Sequence, residues 1–272
     1  MGINLVQHVR ALRGGSCPHL CRADDGGLYV VKFLENPQGP RVLANELLAS
    51  RLALHLSLPV PRTEVVFLPG DLADAMTHVS QFRICPGIHV GIPLVIGPLQ
   101  GRSYDALPSE YIRHLRNWSK LLQMQVFDYW VCNRDIRQAI FWKLSRERIY
   151  SVSFIDHGHC FGGPEWSMFH RPPAVCGVCS QDTAATVDIV SQISNIPDDL
   201  IAHYCSEIPP IWYQDGGPAI DVVEKALVAR KHHLSQKLKE LMTLHSSTMC
   251  KWKDTVACSP RLCQDGNAVF AC

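Results

Sequence analysis

Strand-like and helix-like segments are segregated along the chain, and this limits the fold more than any other feature of the sequence. The segment Leu28–Leu34, LYVVKFL, is β-branched and aromatic and follows the turn residues Asp24–Gly27, which predicts a strand. Arg41–Leu56 carries leucines at helical spacing, and Ile220–Met242 repeats the pattern near the carboxyl end. Strands in the first third and helices in the last half indicate an α+β, two-lobed fold.

Weaker patterns complete this layout. We predict further strands at Val9–Leu12, Glu64–Leu68, Ser80–Ile84, Ala139–Trp142 and Tyr150–Ile155, and a further helix over Glu110–Val131. The first strand is expected to pair with Leu28–Leu34, and residues 87–108, rich in glycine and proline, are expected to form a long connection. The predicted domains are a β-rich amino-terminal lobe (1–86), a larger helical lobe (87–243) and a loosely ordered, cysteine-containing tail (244–272).

Composition narrows the class of protein. Of 272 residues, 47% are hydrophobic and 19% are charged, so the chain can bury a sizeable core. A formal net charge of +1 gives no reason to expect nucleic acid or an anionic membrane surface as a partner. No apolar run approaches the ~18 residues that span a bilayer, and the amino-terminal segment lacks the apolar core of a secretory signal. We therefore expect a cytoplasmic protein without a membrane or nucleic-acid partner.

Twelve cysteines is a high number, and in a cytoplasmic chain most are expected to be reduced and to fill the core. Cys176 and Cys179 form a single CxxC pair near His170. A zinc site usually needs a second pair at suitable spacing, so a plain loop with two thiols is favoured. Whether the pair binds metal stays open from the sequence.

Lys32 stands inside an apolar strand, between Val31 and Phe33. A lone lysine in a strand can simply face water. Glu46, however, falls in the following helix among small apolar neighbours, and a carboxylate on a covered helix face needs a partner. A strand lysine facing a helix glutamate is the pair with which kinases hold the α- and β-phosphates of ATP.

Three turns carry residues that suit phosphate chemistry. Backbone amides of Gly14, Gly15 and Ser16 could approach phosphates, although such triplets also make ordinary turns. Asp135 stands in a polar break of an apolar stretch and could accept a proton from an attacking hydroxyl. Asp156 ends an apolar strand before a glycine, where a carboxylate could bind Mg²⁺. Because aspartates are common in turns, neither one is diagnostic alone. The prediction of phosphate chemistry rests on the order in which the glycine turn, Lys32, Glu46, Asp135 and Asp156 follow one another.

Three blocks of this sequence resemble the HipA-like kinase family. They are KFLENPQGPRVLANELLASRLALHLSLPVP, FDYWVCNRDIRQAIF and FIDHGHCFGG, which begin at Lys32, Phe127 and Phe154. The blocks occur in the expected order, and the likeness covers roughly residues 8–240. The Asn-x-Asp and Ile-Asp-x-Gly layout is also distantly similar to type II phosphatidylinositol 4-kinases.

This resemblance implies a bilobal protein-kinase-like fold that transfers the γ-phosphoryl group of ATP, with Mg²⁺, to a protein Ser or Thr hydroxyl. By position, Lys32 would contact the phosphates and Glu46 would orient Lys32. Asp135 would be the catalytic base and Asp156 the metal ligand. The glycine turn Gly14–Ser16 would border the nucleotide.

Four positions near this expected site leave alternatives open. Asn36 and Gln38, in an Asn-Pro-Gln run, would brace the lobe beside the nucleotide, or form an exposed turn. Relatives usually carry arginine directly after the catalytic aspartate, and a metal-binding asparagine often lies five residues past it. Here those positions are Ile136 and Ile140. Gln138 would then offer its amide oxygen to the metal, or be a surface glutamine.

These departures leave two main functions open. One is an active Ser/Thr protein kinase, and the other is a catalytically weak pseudokinase that acts as a nucleotide-binding interaction module. A lipid kinase ranks third. The protein substrate cannot be named from the sequence, because acceptor choice lies in surface loops. Likeness to toxin kinases also suggests an antitoxin-like partner.

Overall fold

A computed structural model describes residues 2–97, 99–112, 114–168 and 183–244, apart from the side chains of residues 109, 183 and 237–244. Cys176, Cys179 and the tail from residue 245 onward lie outside the described residues. The zinc alternative and the expectation of a loosely ordered tail therefore stay predictions.

The amino-terminal lobe is a closed five-stranded barrel. Its strands are β1 (Ile3–Ala11), β2 (His19–Ala23), β3 (Leu28–Lys32), β4 (Glu64–Leu68) and β5 (Gly87–Pro93). They neighbour one another in the order β1-β2-β3-β5-β4, and a short parallel pairing of β1 with β4 closes the barrel. Strand β3 sits in the middle and is buried on both faces, from Tyr29 to Lys32, which is why its sequence is a continuous apolar run.

Two helices are inserted between these strands: α1 (Arg41–His55) and α2 (Gly70–Thr77). Helix α1 follows β3 directly and is buried over most of its length. Val42, Ala49 and Ala53, which share a side with Glu46, are all 0% exposed. The small side chains let the helix approach its neighbours closely, so Glu46 is held deep in the interior.

The carboxyl-terminal lobe combines a small sheet with helices. It contains β6 (Gly101–Tyr104), α3 (Ser109–Ile112), α4 (Ser119–Trp130), β7 (Gln138–Leu144), β8 (Ser151–Ile155), α5 (Thr183–Ser194), α6 (Asp198–Ser206) and α7 (Ile220–Leu244), with a 3₁₀ turn at Pro210–Trp212. Strands β6, β7 and β8 form an antiparallel sheet in that order. One large apolar core joins α1 to the helices of this lobe, so the two lobes pack as one body.

Several local predictions are corrected by this structure. Strand β2 was missed, and it lies between β1 and β3, which therefore do not pair with each other. Ser80–Ile84 is not a strand. Its apolar residues Phe82 and Ile84 instead pack a loop onto the barrel core, and Thr77 at the end of α2 bonds both backbone groups of Ile84.

Two longer segments also differ from expectation. Residues 87–108 are not a plain connection, because β5 pairs with both β3 and β4 and carries the barrel past residue 86 to Pro93. The helix predicted over Glu110–Val131 is divided into α3 and α4. At the break, the Asn117 side chain donates to the Val152 carbonyl at 2.8 Å and accepts from the Val152 amide at 2.9 Å. The helix is therefore interrupted where Asn117 bonds the backbone of β8.

No helix within the described ranges is both long and apolar enough to cross a bilayer.

Candidate active site

One cleft between the lobes collects most of the residues that the sequence singled out. It has a volume of about 290 Å³. The described residues that line it are Arg13, Gly14, Gly15, Ser16, Gln38, Asp135, Gln138 and Asp156. The glycine turn and Gln38 come from the amino-terminal lobe, and the two aspartates and Gln138 come from the other. Groups more than a hundred residues apart in the chain thus face one space.

Lys32 lies behind this cleft and joins its two sides. The side chain is buried, and its ammonium donates hydrogen bonds to Glu46 Oε1 and, at 2.8 Å, to Asp156 Oδ1. Burial by itself lowers the pKa of Lys32, but the carboxylates of Asp156 and Glu46 outweigh it and hold the pKa above its ordinary value. The lysine is therefore a fixed cation, which a phosphate-binding role requires.

Glu46 is held on a second side by the loop after β8. The backbone amide of His157 donates to Glu46 Oε1 at 2.9 Å, and the His157 ring nitrogen Nδ1 lies 3.6 Å from Oε2. One residue earlier in the helix, the Asn45 side chain donates to the Gly158 carbonyl at 2.7 Å. Although burial opposes ionisation of Glu46, Lys32 and then His157 lower its pKa. Helix α1 and the Asp156 loop are thus docked together by side chains that flank the ion pair.

Gln38 and Asn36 have separate places in the turn that follows β3. Asn36 is buried, and its amide donates to the carbonyls of Phe33 and Gly39 while its oxygen accepts from the Gln38 backbone at 3.0 Å. All its polar groups are used inside the turn, so it braces the turn without lining the cleft. Gln38 does line the cleft, and its Nε2 lies 3.1 Å from Nε2 of His159 in the opposite lobe.

Asp135 is exposed at the end of the α4–β7 loop. Its backbone amide donates to Asn133 Oδ1 at 3.2 Å, and its own Oδ1 accepts from the Ile136 amide at 2.7 Å. The Asp135 side chain also lines the cleft. This is the position that a base needs if it is to receive the proton of an incoming hydroxyl.

Gln138 contacts the proposed metal ligand directly. Its Nε2 donates to Asp156 Oδ2 at 2.8 Å, while Lys32 occupies the other oxygen of the same carboxylate. Ile140, where a ligand asparagine was sought, is only 6% exposed in the core and has no oxygen to offer. Ile136 is 68% exposed on the outside of the loop. Of these three positions, Gln138 alone supplies an amide at the cleft.

A buried ion pair beneath the two aspartates was missed by reasoning from the sequence. Arg137 pairs with both carboxylate oxygens of Asp128, and it also donates to the carbonyls of Ile155 and Asp156 at 2.9 and 3.0 Å. Asp128 in turn accepts from the Asn133 side chain at 3.1 Å. The signal was an aspartate inside the apolar run FDYWV, since a carboxylate there predicts a buried partner.

This network fixes the backbone around both cleft carboxylates. Asp156 has a φ of 59°, in the left-handed region that costs a residue with a side chain free energy. Arg137 holds the carbonyl of Asp156 itself, and Asn133 holds the amide of Asp135. A partly buried hydrogen bond from Arg137 thus helps to maintain the strained conformation of Asp156.

Comparison with known proteins agrees with this geometry. The profile of HipA-like kinases matches residues 6–242. The chain belongs to the HipA-like kinase family. The resemblance inferred from the three sequence blocks is therefore confirmed. No curated protein matches the sequence of this HipA-like kinase.

Solved structures of kinases share its fold. The Helicobacter pylori proinflammatory kinase CtkA superposes with a TM-score of 0.56 at 13% identity, covering 89% of this chain and 98% of CtkA. The Golgi casein kinase gives 0.54 at 13% identity, covering 91% and 72%. The same kinase with Mn and ADP bound gives 0.55 at 12% identity, covering 91% and 74%. The predicted α+β, bilobal kinase-like fold is confirmed, and family and fold are those of a kinase-like phosphotransferase.

Proposed function

We propose that this HipA-like kinase binds ATP with Mg²⁺ in the cleft and transfers the γ-phosphoryl group to a Ser or Thr hydroxyl of a protein. The observation that carries the proposal is the buried bridge from Lys32 to both Glu46 and Asp156, next to a cleft that also holds Asp135. A cation tied to a helix carboxylate and a strand-end carboxylate is the phosphate-holding arrangement of kinases. An isolated structural ion pair would not need the second carboxylate or the adjoining cleft.

An apolar strip beside Lys32 suits the nucleotide base. Leu20, Val30 and Ile92 are direct cross-strand neighbours on β2, β3 and β5, and they form a small apolar cluster separate from the two main cores. Val30 lies two residues before Lys32, so both side chains project from the same face of β3. A flat, largely apolar base placed against this strip would direct its phosphates toward the lysine.

The donors at the cleft also suit a magnesium ion. Asp156 offers a carboxylate and Gln138 an amide oxygen, and both line the same cavity. Within the described residues no three His, Cys, Asp or Glu side chains converge as a metal site. Mg²⁺ typically takes one or two protein ligands and completes its shell with phosphates and water, so a larger set is not needed. Bound there, the ion would neutralise phosphate charge and so favour transfer. The Golgi casein kinase with Mn and ADP supports nucleotide and divalent-metal use by this fold.

The protein side chains would then act mainly by positioning. Lys32 holds the non-transferred phosphates, and Asp135 orients the acceptor hydroxyl. The acceptor oxygen bonds to the γ-phosphorus as the bond to the β–γ bridging oxygen breaks. The electron pair of the broken bond stays on ADP, and the hydroxyl proton passes to Asp135.

A matched set of variants tests this proposal. Asp135→Asn is expected to lower the rate of phosphoryl transfer by about 10²–10⁴-fold while Mg-ATP still binds. Asp156→Asn is expected to weaken Mg²⁺-dependent nucleotide binding as well. Asp199→Asn, on the exposed surface of α6, is the control. Autophosphorylation and ADP formation are measured, and equal activity of all four proteins would remove both residues from the mechanism.

The second candidate, a pseudokinase, is favoured by Ile136 and by the buried Ile140. The same samples distinguish it. A ligand that binds the folded state at 100 times its Kd stabilises it by about 2.7 kcal/mol, which thermal unfolding detects. Stabilisation by Mg-ATP without turnover on any acceptor would identify a nucleotide-binding interaction module.

A further inference from the structure

Arg13 enters the cleft immediately before the glycine turn. It lines the same cavity as Asp135, Gln138 and Asp156, and it is the one cationic side chain among the eight that do so. The turn that carries it is closed by hydrogen bonds from the Leu12 amide to the Pro18 carbonyl at 2.8 Å and from Cys17 to Gly14 at 3.1 Å. The backbone that carries the Arg13 guanidinium is therefore held in place.

The other cations near the cleft are already committed. Lys32 is shared by Glu46 and Asp156 and is assigned to the non-transferred phosphates, and Arg137 is bound to Asp128 and to two carbonyls. Arg134 donates to the Gly162 carbonyl at 3.0 Å and to Ser167 Oγ at 3.1 Å, away from the cavity. Among the described residues, no carboxylate forms an ion pair with Arg13, although two carboxylates line the same cavity. Within the described part of the chain, the donors of Arg13 are free for a ligand.

The glycine turn is partly covered, so its backbone amides do not supply every hydrogen bond that a phosphate could accept. Gly15 lies against Gln38, so close that a Cβ on Gly15 would come within 2.6 Å of Gln38 Nε2. The Gln38 amide thus covers part of the turn from the cleft side. A guanidinium offers a fork of donors that matches phosphate oxygens, so Arg13 can replace hydrogen bonds that the covered turn does not give.

We propose that Arg13 binds the terminal phosphoryl group of the nucleotide and distinguishes a triphosphate from a diphosphate. The inference rests on the proposed function and names a further phosphate-binding residue at that site. Lys32 is buried behind the cleft beside Glu46, whereas Arg13 is exposed at its edge in the same cavity as the base Asp135. The transferred phosphoryl group must reach the hydroxyl that Asp135 orients, so the cation that shares this cavity with Asp135 contacts the transferred phosphoryl group.

The experiment compares two nucleotides on three proteins. Dissociation constants for Mg-ADP and for the non-hydrolysable Mg-AMPPNP are measured by calorimetry for the wild type, Arg13→Met and Arg22→Met. Arg22 is the matched control, because it is an exposed arginine of the neighbouring strand that bonds the Gly26 carbonyl and does not line the cleft. Arg13→Met is expected to weaken AMPPNP binding by about 10- to 100-fold, as for the loss of a charged hydrogen bond, with ADP binding nearly unchanged. Arg13→Lys is expected to restore part of the difference.

The outcomes separate this inference from the proposed function. If the wild type and Arg22→Met bind both nucleotides and Arg13→Met loses affinity selectively for AMPPNP, the inference is supported. An equal loss for both nucleotides, or no loss for either, would overturn it while leaving ATP binding intact. If the wild type binds neither nucleotide, the proposed function fails, and the inference fails with it.

Discussion

Replacing Arg137 with methionine removes the centre of the network beneath the two cleft aspartates. The change deletes the ion pair with Asp128 and the hydrogen bonds to the carbonyls of Ile155 and Asp156. The Asp128 side chain is 10% exposed and would keep one strong donor, Asn133. Leaving a buried charge without its partner costs about 3–5 kcal/mol, so the free energy of unfolding of Arg137→Met is expected to fall by that amount.

A double variant tests whether the unpaired charge of Asp128 causes this loss of stability. In Arg137→Met/Asp128→Asn no ionised group is left unpaired, and the new amide keeps a partner in Asn133. The double variant is therefore expected to be more stable than Arg137→Met alone, by about 1–3 kcal/mol. Urea denaturation of the wild type, both single variants and the double variant measures this difference and, with the Asp128→Asn value subtracted, the coupling energy of the pair. The reasoning is refuted if Asp128→Asn adds further destabilisation to Arg137→Met.

The network also makes a prediction about activity that stability alone would not give. Arg137→Met/Asp128→Asn lacks the donor to the Asp156 carbonyl, which helps to hold a φ of 59°. Even where this variant is fully folded, we expect weaker Mg²⁺-dependent nucleotide binding. Nucleotide titrations at a temperature well below unfolding, with and without Mg²⁺, measure this. Wild-type affinity in the folded double variant would show that the Asp156 loop holds its shape without Arg137.

Two further predictions concern the barrel and the glycine turn. Burial, with a smaller effect of His8, lowers the pKa of His19 to about 4. Between about pH 6.5 and 4, His19 is therefore protonated in the unfolded chain but largely neutral in the folded chain. The free energy of unfolding should therefore fall as the pH drops from ~6.5 to about 4, and this group should account for at most about 3 kcal/mol of the loss. His19→Gln should flatten the plot of unfolding free energy against pH, whereas His114→Gln, at an exposed position, should not. Gly15→Ala places a Cβ 2.6 Å from Gln38 Nε2 and should push that amide from His159 into the cleft, weakening Mg-ATP binding about tenfold. Gln38→Ala in the same chain should restore the affinity, and Gly70→Ala, which meets nothing within 4 Å, should have no effect on it.

Local sequence patterns were sufficient where one segment alone sets its own structure. Strand β3 and helix α1 lie at the predicted positions, because a β-branched run after a turn and a leucine repeat before prolines are short-range signals. The order of Lys32, Glu46, Asp135 and Asp156 was also readable, since each stands in a distinctive local setting. That order, with the HipA-like blocks, was enough to predict the family and the bilobal fold.

Pairings between distant segments could not be predicted in the same way. Residues 87–93 look like a loop in isolation, yet they form β5 because the free edges of β3 and β4 lie on either side. Asp128 in the run FDYWV predicts a buried partner, but nothing in the sequence says that Arg137 is this partner, since arginines are mostly exposed. Burial, which only the folded chain creates, removes water as a hydrogen-bonding partner, so each charge must find another charge or a carbonyl.

The sequence by itself thus determined which chemical groups are available, in which order, and on which elements they begin. The tertiary structure decided that Lys32 joins Glu46 to Asp156, that Gln138 rather than residue 140 faces the cleft, and that Arg13 lines the cleft without an ion pair to any described residue. These outcomes depend on distances of a few ångströms between residues far apart in the chain. Such distances follow from how the barrel and the helices pack together, and no single segment encodes them.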